Sequence, residues 1–294
     1  MTAPPTPCPM PARKAGRPSS TRWATSRDGT PIAVECFGRG PALVLVDGAL
    51  CHRRMGPAMA LAEASCDDFT VWLYDRRGRG ESLDTVPPAI ECEIDDFAAV
   101  LAAAGGRAFA WGTSSGAVLA LDAVARVGGI ERLAVYEAPL IVDASRPATS
   151  GDWARIAAAV ADGRRGDAVR LFLRCVGVPW IATALMRLMP MWKRLEAVAP
   201  TLPYDGALVC DLQRGEPLPA ARWRDIGLPV LVMDGGASPS WMRRGNEALA
   251  AALPNAAHHR LDGENHMLKA RVHAPVLKTF FLSPARGTPH PPAR

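Results

Sequence analysis

An α/β fold with a mostly parallel central sheet is what this sequence predicts, and three observations predict it. Short apolar runs alternate with Ala-rich stretches of helical period through most of the chain, the pattern of strands joined by helical crossovers. One run, ALVLV at residues 42–46, is apolar throughout, as a strand covered on both faces must be. Apolar residues form 49% of the 294 and charged residues 21%, enough apolar matter for a large core with helices on both faces of the sheet.

The elements follow in order. Residues 1–20 (MTAPPTPCPMPARKAGRPSS) are rich in Pro, Ser and Arg without periodicity, and read as a disordered tail. Residues 32–37 (IAVECF), 42–46 and 70–74 (TVWLY) are expected strands. A helix over 90–104 stops at Gly105-Gly106, since glycine ends helices. Residues 108–111 (AFAW) form a strand, 115–127 a helix ended by Gly128-Gly129, and 132–136 (RLAVY) the next strand. Late in the chain come a strand at 229–233 (PVLVM), a helix at 241–253 and a strand at 258–261. The last helix is expected over 266–281, bent or restarted at Pro275, because proline removes a helical hydrogen bond. Residues 283–294 read as a second tail.

Between residues 143 and 222 the alternation stops. Helical segments at 152–161, 167–175, 180–189 and 192–198 are separated by Gly and Pro, and carry Trp153, Phe172, Trp180, Met186, Met189, Met191 and Trp192. This stretch is expected to be a helical cap inserted into a core made of residues 21–142 and 223–282. Most of its large side chains should pack the cap onto the core. A cap over the carboxyl ends of parallel strands also creates an apolar cleft, where Trp180 and Trp192 are expected to set substrate size preference.

Charge and cysteine usage exclude several classes. There are 34 Lys+Arg against 29 Asp+Glu, a formal charge of +5, but the positive residues are scattered. Their densest group, Arg76, Arg77 and Arg79, sits in a glycine-rich turn without interleaved aromatics, which argues against nucleic-acid binding. No stretch reaches the ~18 uncharged apolar residues of a membrane span, and the N-terminus lacks the apolar core of a secretory signal. The seven cysteines are odd in number and show no C-x-x-C spacing. That argues against a disulfide framework or zinc site and favours a reducing, cytoplasmic compartment.

Chemistry enters at Gly112-Thr113-Ser114-Ser115-Gly116. This G-x-S-x-G follows the strand AFAW and opens the helix SSGAVLALDAVARV directly. A sharp strand-to-helix turn strains its central residue, and the flanking glycines remove the Cβ clashes. Ser114 Oγ is then presented at the tip of the sheet, and the N–H of Ser115, at a helix N-terminus, is placed to stabilise an oxyanion. Serine needs a base to take its proton, and in α/β-hydrolases, whose nucleophile elbow this motif resembles, the base follows the serine in the chain. His258, His259, His266, His273 and His290 follow it. His266 is the candidate, because it lies at the junction DGENHM between the last strand and last helix.

With these residues in place, the sequence resembles the α/β-hydrolase superfamily from about residue 25 to 281. Besides GTSSG it carries Asp75-Arg76-Arg77-Gly78-Arg79-Gly80-Glu81-Ser82, similar to the family's D-x-R-G-x-G-x-S turn. The resemblance makes these arginines turn and surface residues. Asp47-Gly48-Ala49 after ALVLV resembles the H-G-x oxyanion loop, with Asp47 in place of the usual histidine, and implies the Ala49 N–H as second oxyanion donor. The fold implied is an α/β-hydrolase core with an inserted helical cap.

The family's usual acid follows the strand PVLVM, where this chain has Asp234-Gly235-Gly236-Ala237-Ser238-Pro239 and Ser238 falls at the expected position. Two substitutes remain open: Glu137, ending the strand RLAVY as in some members such as haloalkane dehalogenases, and Asp234. The reading adopted is a serine hydrolase acting on an ester, thioester or lactone of a mainly apolar small molecule. In it Ser114 attacks, His266 transfers the proton, Glu137 orients His266, and the N–H groups of Ala49 and Ser115 bind the oxyanion. No metal or organic cofactor is required. Ser114 argues against haloalkane dehalogenation, which needs a carboxylate nucleophile at that position. A non-hydrolytic acid/base enzyme on the same scaffold, and a silent small-molecule-binding protein, are the alternatives.

Overall fold

The computed structural model describes residues 21–85, 89–219 and 221–284. The expected N-terminal tail, and the C-terminal tail beyond Pro284, lie outside the described residues. Eight strands form one sheet: β1 (Arg22–Thr25), β2 (Pro31–Gly38), β3 (Ala42–Val46), β4 (Thr70–Tyr74), β5 (Ala108–Thr113), β6 (Ile130–Tyr136), β7 (Val230–Gly235) and β8 (Ala256–Leu261). Their spatial order is β1-β2-β4-β3-β5-β6-β7-β8. The β1–β2 and β2–β4 pairs are antiparallel, and every later pair from β4 to β8 is parallel.

The α-helices are α1 (Ala58–Ser65), α2 (Ile90–Ala103), α3 (Ser115–Val124), α4 (Ser150–Ala161), α5 (Arg165–Cys175), α6 (Trp180–Met186), α7 (Met191–Val198), α8 (Leu202–Val209), α9 (Ser240–Ala252) and α10 (Ala270–Leu282). The period-two alternation of β3 explains its uniform apolarity. Val44 and Val46 pack on one face with Phe97 and Val100 of α2, Val118 and Leu121 of α3 and Leu249 of α9. Leu43 and Leu45 pack on the other with Leu61 of α1 and Leu277 and Phe281 of α10. Burying each such leucine stabilises the fold by about 1.5–3 kcal/mol, so a polar substitution at any of these four positions damages the layer that its side chain faces.

Several boundaries differ from expectation. The edge strand β1 and the helix α1 carry no strong periodic signal, and sequence pattern did not reveal them. The last helix starts at Ala270 rather than residue 266. Residues 262–269 are a loop because Asn265 takes up local polar groups instead of continuing a helix: its Oδ1 accepts from Met267 N at 2.9 Å, and its carbonyl accepts from the Tyr136 hydroxyl at 2.6 Å. Cys36 is disulfide-bonded, a bond that the sequence reading, which argued against a disulfide framework, did not anticipate. Among the described residues no helix is long and apolar enough to cross a membrane, and no cluster of His, Cys, Asp or Glu is arranged to hold a metal ion.

The helical insertion lies between β6 and β7 and holds α4 to α8, with no strand among its described residues. Trp153, Ile156 and Leu208 join the same apolar face of the core as α2 and α3. The two tryptophans expected at a cleft have different surroundings. Trp192 is buried inside the insertion, its Nε1 donating to Glu196 at 2.9 Å, whereas Trp180 is 79% exposed.

Candidate active site

At the end of β5 the chain turns within one residue. Ser114 has φ +54° and ψ −130°, a strained conformation for a residue with a side chain. The turn is tight enough to require its glycines. A Cβ on Gly112 would lie 2.6 Å from the Gly116 carbonyl oxygen, and one on Gly116 would lie 2.5 Å from the carbonyl oxygens of Val46 and Asp47. The Ser114 N–H is tied to the Tyr136 carbonyl at 3.0 Å, which joins the turn to the end of β6. The loop after β3 lies directly against the serine: a Cβ on Gly48 would be 2.9 Å from Ser114 Cβ. Ala49 follows on that loop, half-buried, and Ser115 opens α3.

Glu137 stands one residue beyond β6, with φ +49° and its N–H on the Met233 carbonyl at 3.0 Å. The side chain is fully buried. A buried carboxylate needs hydrogen-bond partners for its lone pairs, and three are supplied. Oε1 accepts from Gly235 N at 2.9 Å and from the Ser238 hydroxyl; Oε2 lies 2.7 Å from His266 Nδ1. The histidine is half-exposed (48%), on the loop between β8 and α10. That loop is fastened to the end of β7 by Ala237 N donating to the Glu264 carbonyl at 2.9 Å. Asn246 of α9 braces the next residue of the Glu137 turn, donating to the Ala138 carbonyl and accepting from its N–H, both at 3.1 Å. Sequence reasoning missed Asn246; it singled out Ser238 only as the place where a carboxylate was expected.

The other acid candidate is engaged elsewhere. Asp234 is fully buried and pairs in register with Arg260 on β8. Its oxygens accept from Arg260 Nε at 2.7 Å and lie 2.7 Å from His258 Nε2. The structure therefore joins His266 to Glu137, and His258 to Asp234. His273 is buried edge-on against the Tyr136 ring, with centroids 4.3 Å apart, and burial pushes its pKa down to about 4.

The arginine turn corrects the sequence reading. Arg76, Arg77 and Arg79 are buried, at most 1% exposed, rather than surface residues. Buried guanidiniums demand paired carboxylates, and each has them. Arg76 binds Glu93 through Nε at 2.6 Å and Nη2 at 2.7 Å, and Arg77 binds Asp96 at 2.8 and 2.7 Å. Asp205, on insertion helix α8, accepts from Arg76 Nη1 and Arg79 Nη2, both at 2.8 Å. In the adjacent loop Asp47 is buried, and its Oδ1 accepts no hydrogen bond among the described residues. Burial pushes its pKa up to about 7, against the lowering pull of Arg79 and Arg76.

Comparison with known proteins bears on the family and the fold. The model of the alpha/beta hydrolase family matches residues 43–274. The chain belongs to the alpha/beta hydrolase family. Among solved structures, this family member is similar to an alpha/beta hydrolase from Sphaerobacter thermophilus DSM 20745. The two are 49% identical, with 88% of this chain and 100% of that chain covered and a TM-score of 0.81. It shares its fold with the enol-lactonase from Burkholderia xenovorans LB400 at 22% identity, covering 88% and 98% of the two chains, TM-score 0.64. The same holds for the esterase RhEst1 from Rhodococcus sp. ECU1013 at 23% identity, covering 90% and 99%, TM-score 0.65. Among curated proteins the hydrolase-family sequence finds no match.

Proposed function

We propose that this member of the alpha/beta hydrolase family is a serine hydrolase that cleaves an ester, thioester or lactone of a mainly apolar small molecule through an acyl-enzyme. The observation that carries the reading is the 2.7 Å contact between His266 Nδ1 and buried Glu137, beside a strained Ser114 whose amide is tied to the residue preceding Glu137. A carboxylate on Nδ1 holds the imidazole in the tautomer whose Nε2 accepts a proton, and stabilises the imidazolium once formed. Ser114 Oγ, deprotonated by His266 as it attacks, bonds to the acyl carbon. His266 then returns the proton to the leaving alcohol, thiol or lactone oxygen. Water activated by the same imidazole releases the acid.

The developing oxyanion takes its hydrogen bonds from the N–H groups of Ala49 and Ser115, a fixed arrangement that stabilises charge only as it forms. No cofactor enters this scheme. The helical insertion 143–222 acts as the cap that limits substrate size. Incubation with a fluorophosphonate probe followed by intact-mass measurement tests the reading. It requires one adduct per chain on Ser114 and none in Ser114→Ala; an unlabelled wild-type protein contradicts it.

A further inference from the structure

The Asp205 carboxylate is fully buried, comes from the insertion, and is linked to both halves of the proposed oxyanion hole, to one directly and to the other through arginines. On one side Oδ1 accepts from the Ser115 hydroxyl at 2.7 Å, so it grips the residue whose N–H is one donor. On the other side it acts through two arginines. Arg79 Nη2 donates to Asp205 Oδ2 at 2.8 Å, and its Nη1 donates to the Gly48 carbonyl at 2.6 Å and the Cys51 carbonyl at 3.3 Å. Arg76 Nη1 donates to Asp205 Oδ1 at 2.8 Å and to the Asp47 carbonyl at 3.3 Å. The carbonyls of Asp47, Gly48 and Cys51 belong to the loop that carries the Ala49 N–H, so fixing those peptides fixes the direction of that donor.

We infer that Asp205 is a positioning residue: through Ser115, Arg79 and Arg76 it sets the geometry of the oxyanion hole, and so couples the helical insertion to the chemical step. The inference rests on the serine-hydrolase reading above. Three features argue against a purely structural ion pair. Replacing a buried ion pair by apolar residues is commonly neutral or stabilising, so stability alone gives no reason for two guanidiniums to converge on one carboxylate here. Both arginines also donate to backbone carbonyls of the same loop. And the Ser115 hydroxyl completes a network that links the two proposed donors through a single side chain. Burial raises the Asp205 pKa, but Arg79 and Arg76 outweigh it and hold the carboxyl below its ordinary value, so it is ionised where the network needs it.

An oxyanion donor matters in the transition state more than in substrate binding, which separates the inference from general destabilisation. Asp205→Asn and Ser115→Ala are assayed on a short p-nitrophenyl ester, with inhibition by a matching trifluoromethyl ketone, whose hemiketal adduct on Ser114 carries an oxyanion. For Asp205→Asn the expected result is a kcat about 10²-fold lower with KM little changed. Affinity for the ketone should weaken in parallel with kcat/KM. Ser115→Ala removes one contact without leaving a buried charge unpaired, and should show the same split, at about tenfold. If Asp205→Asn does not fold, Ser115→Ala decides.

A rise in KM alone, a normal kcat, or a fall in kcat with unchanged ketone affinity overturns the inference while wild-type turnover leaves the serine-hydrolase reading intact. Wild-type protein that neither turns over the ester nor binds the ketone overturns both.

Discussion

Ser238 donates its hydroxyl to Glu137 Oε1, while the other oxygen of that carboxylate holds His266 Nδ1 at 2.7 Å. A hydroxyl beyond β7 thus supports a carboxylate at the end of β6, the acid of the proposed triad. A carboxylate at position 238 would face Glu137 in a buried site, where two like charges cannot both stay ionised. The serine is the complement that a buried Glu137 requires.

This division of labour separates the two acids experimentally. Glu137→Gln keeps the shape but removes the charge facing His266, and kcat should fall by about 10³–10⁴. Asp234→Asn leaves the His266 pair untouched and should change kcat by less than about threefold. It should lower the thermal midpoint instead, because Arg260 and His258 lose a buried partner. Ester-hydrolysis kinetics and thermal denaturation on both variants check the ranking; the opposite kinetic order would move the role to Asp234.

The degree to which each part was legible in the sequence follows the range of the forces that place it. The turn at Ser114 is local: a tight strand-to-helix turn dictates glycines at fixed offsets, so GTSSG announces it. The β3 run is legible because burial on both faces removes polar residues from every position. The preference for Glu137 over Asp234 rested on family resemblance rather than on a local signal. Both are carboxylates at strand ends, and only the β7–β8 register shows that Arg260 and His258 occupy Asp234. Asp205 gave no local signal at all, since its partners Arg76, Arg79 and Ser115 lie 129, 126 and 90 residues away. One clue was present and misread. Three arginines within four residues of a fold-defining turn would call for buried carboxylates if the turn is packed, and α8 supplies one of them.

Asp47 gives a pH signature. Its folded pKa of about 7 lies above the unfolded value, so the folded state binds the extra proton. Stability from this group is full below about pH 4 and is lost as pH rises through about 7. Asp47→Asn removes that dependence. Its stability relative to wild type should grow by about 3 kcal/mol between about pH 5 and about pH 8. Denaturant unfolding at the two pH values measures this, and a difference that does not change with pH would show that Asp47 ionises freely.

The two insertion tryptophans should also part company. Trp192 is buried, with its indole N–H on Glu196 and the Arg187 guanidinium 5.9 Å from its ring. Its replacement by Ala should destabilise by about 3–5 kcal/mol. Trp180 is exposed, and Trp180→Ala should stay within about 0.5 kcal/mol of wild type. Equal losses in thermal or chemical unfolding would contradict this assignment of their environments.

The central claim, that an acyl group is carried on Ser114, is tested most directly by rapid-mixing kinetics on a p-nitrophenyl ester under conditions where deacylation is slow. The account predicts a p-nitrophenol burst that approaches one equivalent per chain, with the acyl mass found on the peptide containing Ser114 and both absent in Ser114→Ala. Ester turnover that persists within about tenfold in Ser114→Ala, with no acyl adduct on the wild-type chain, would contradict it.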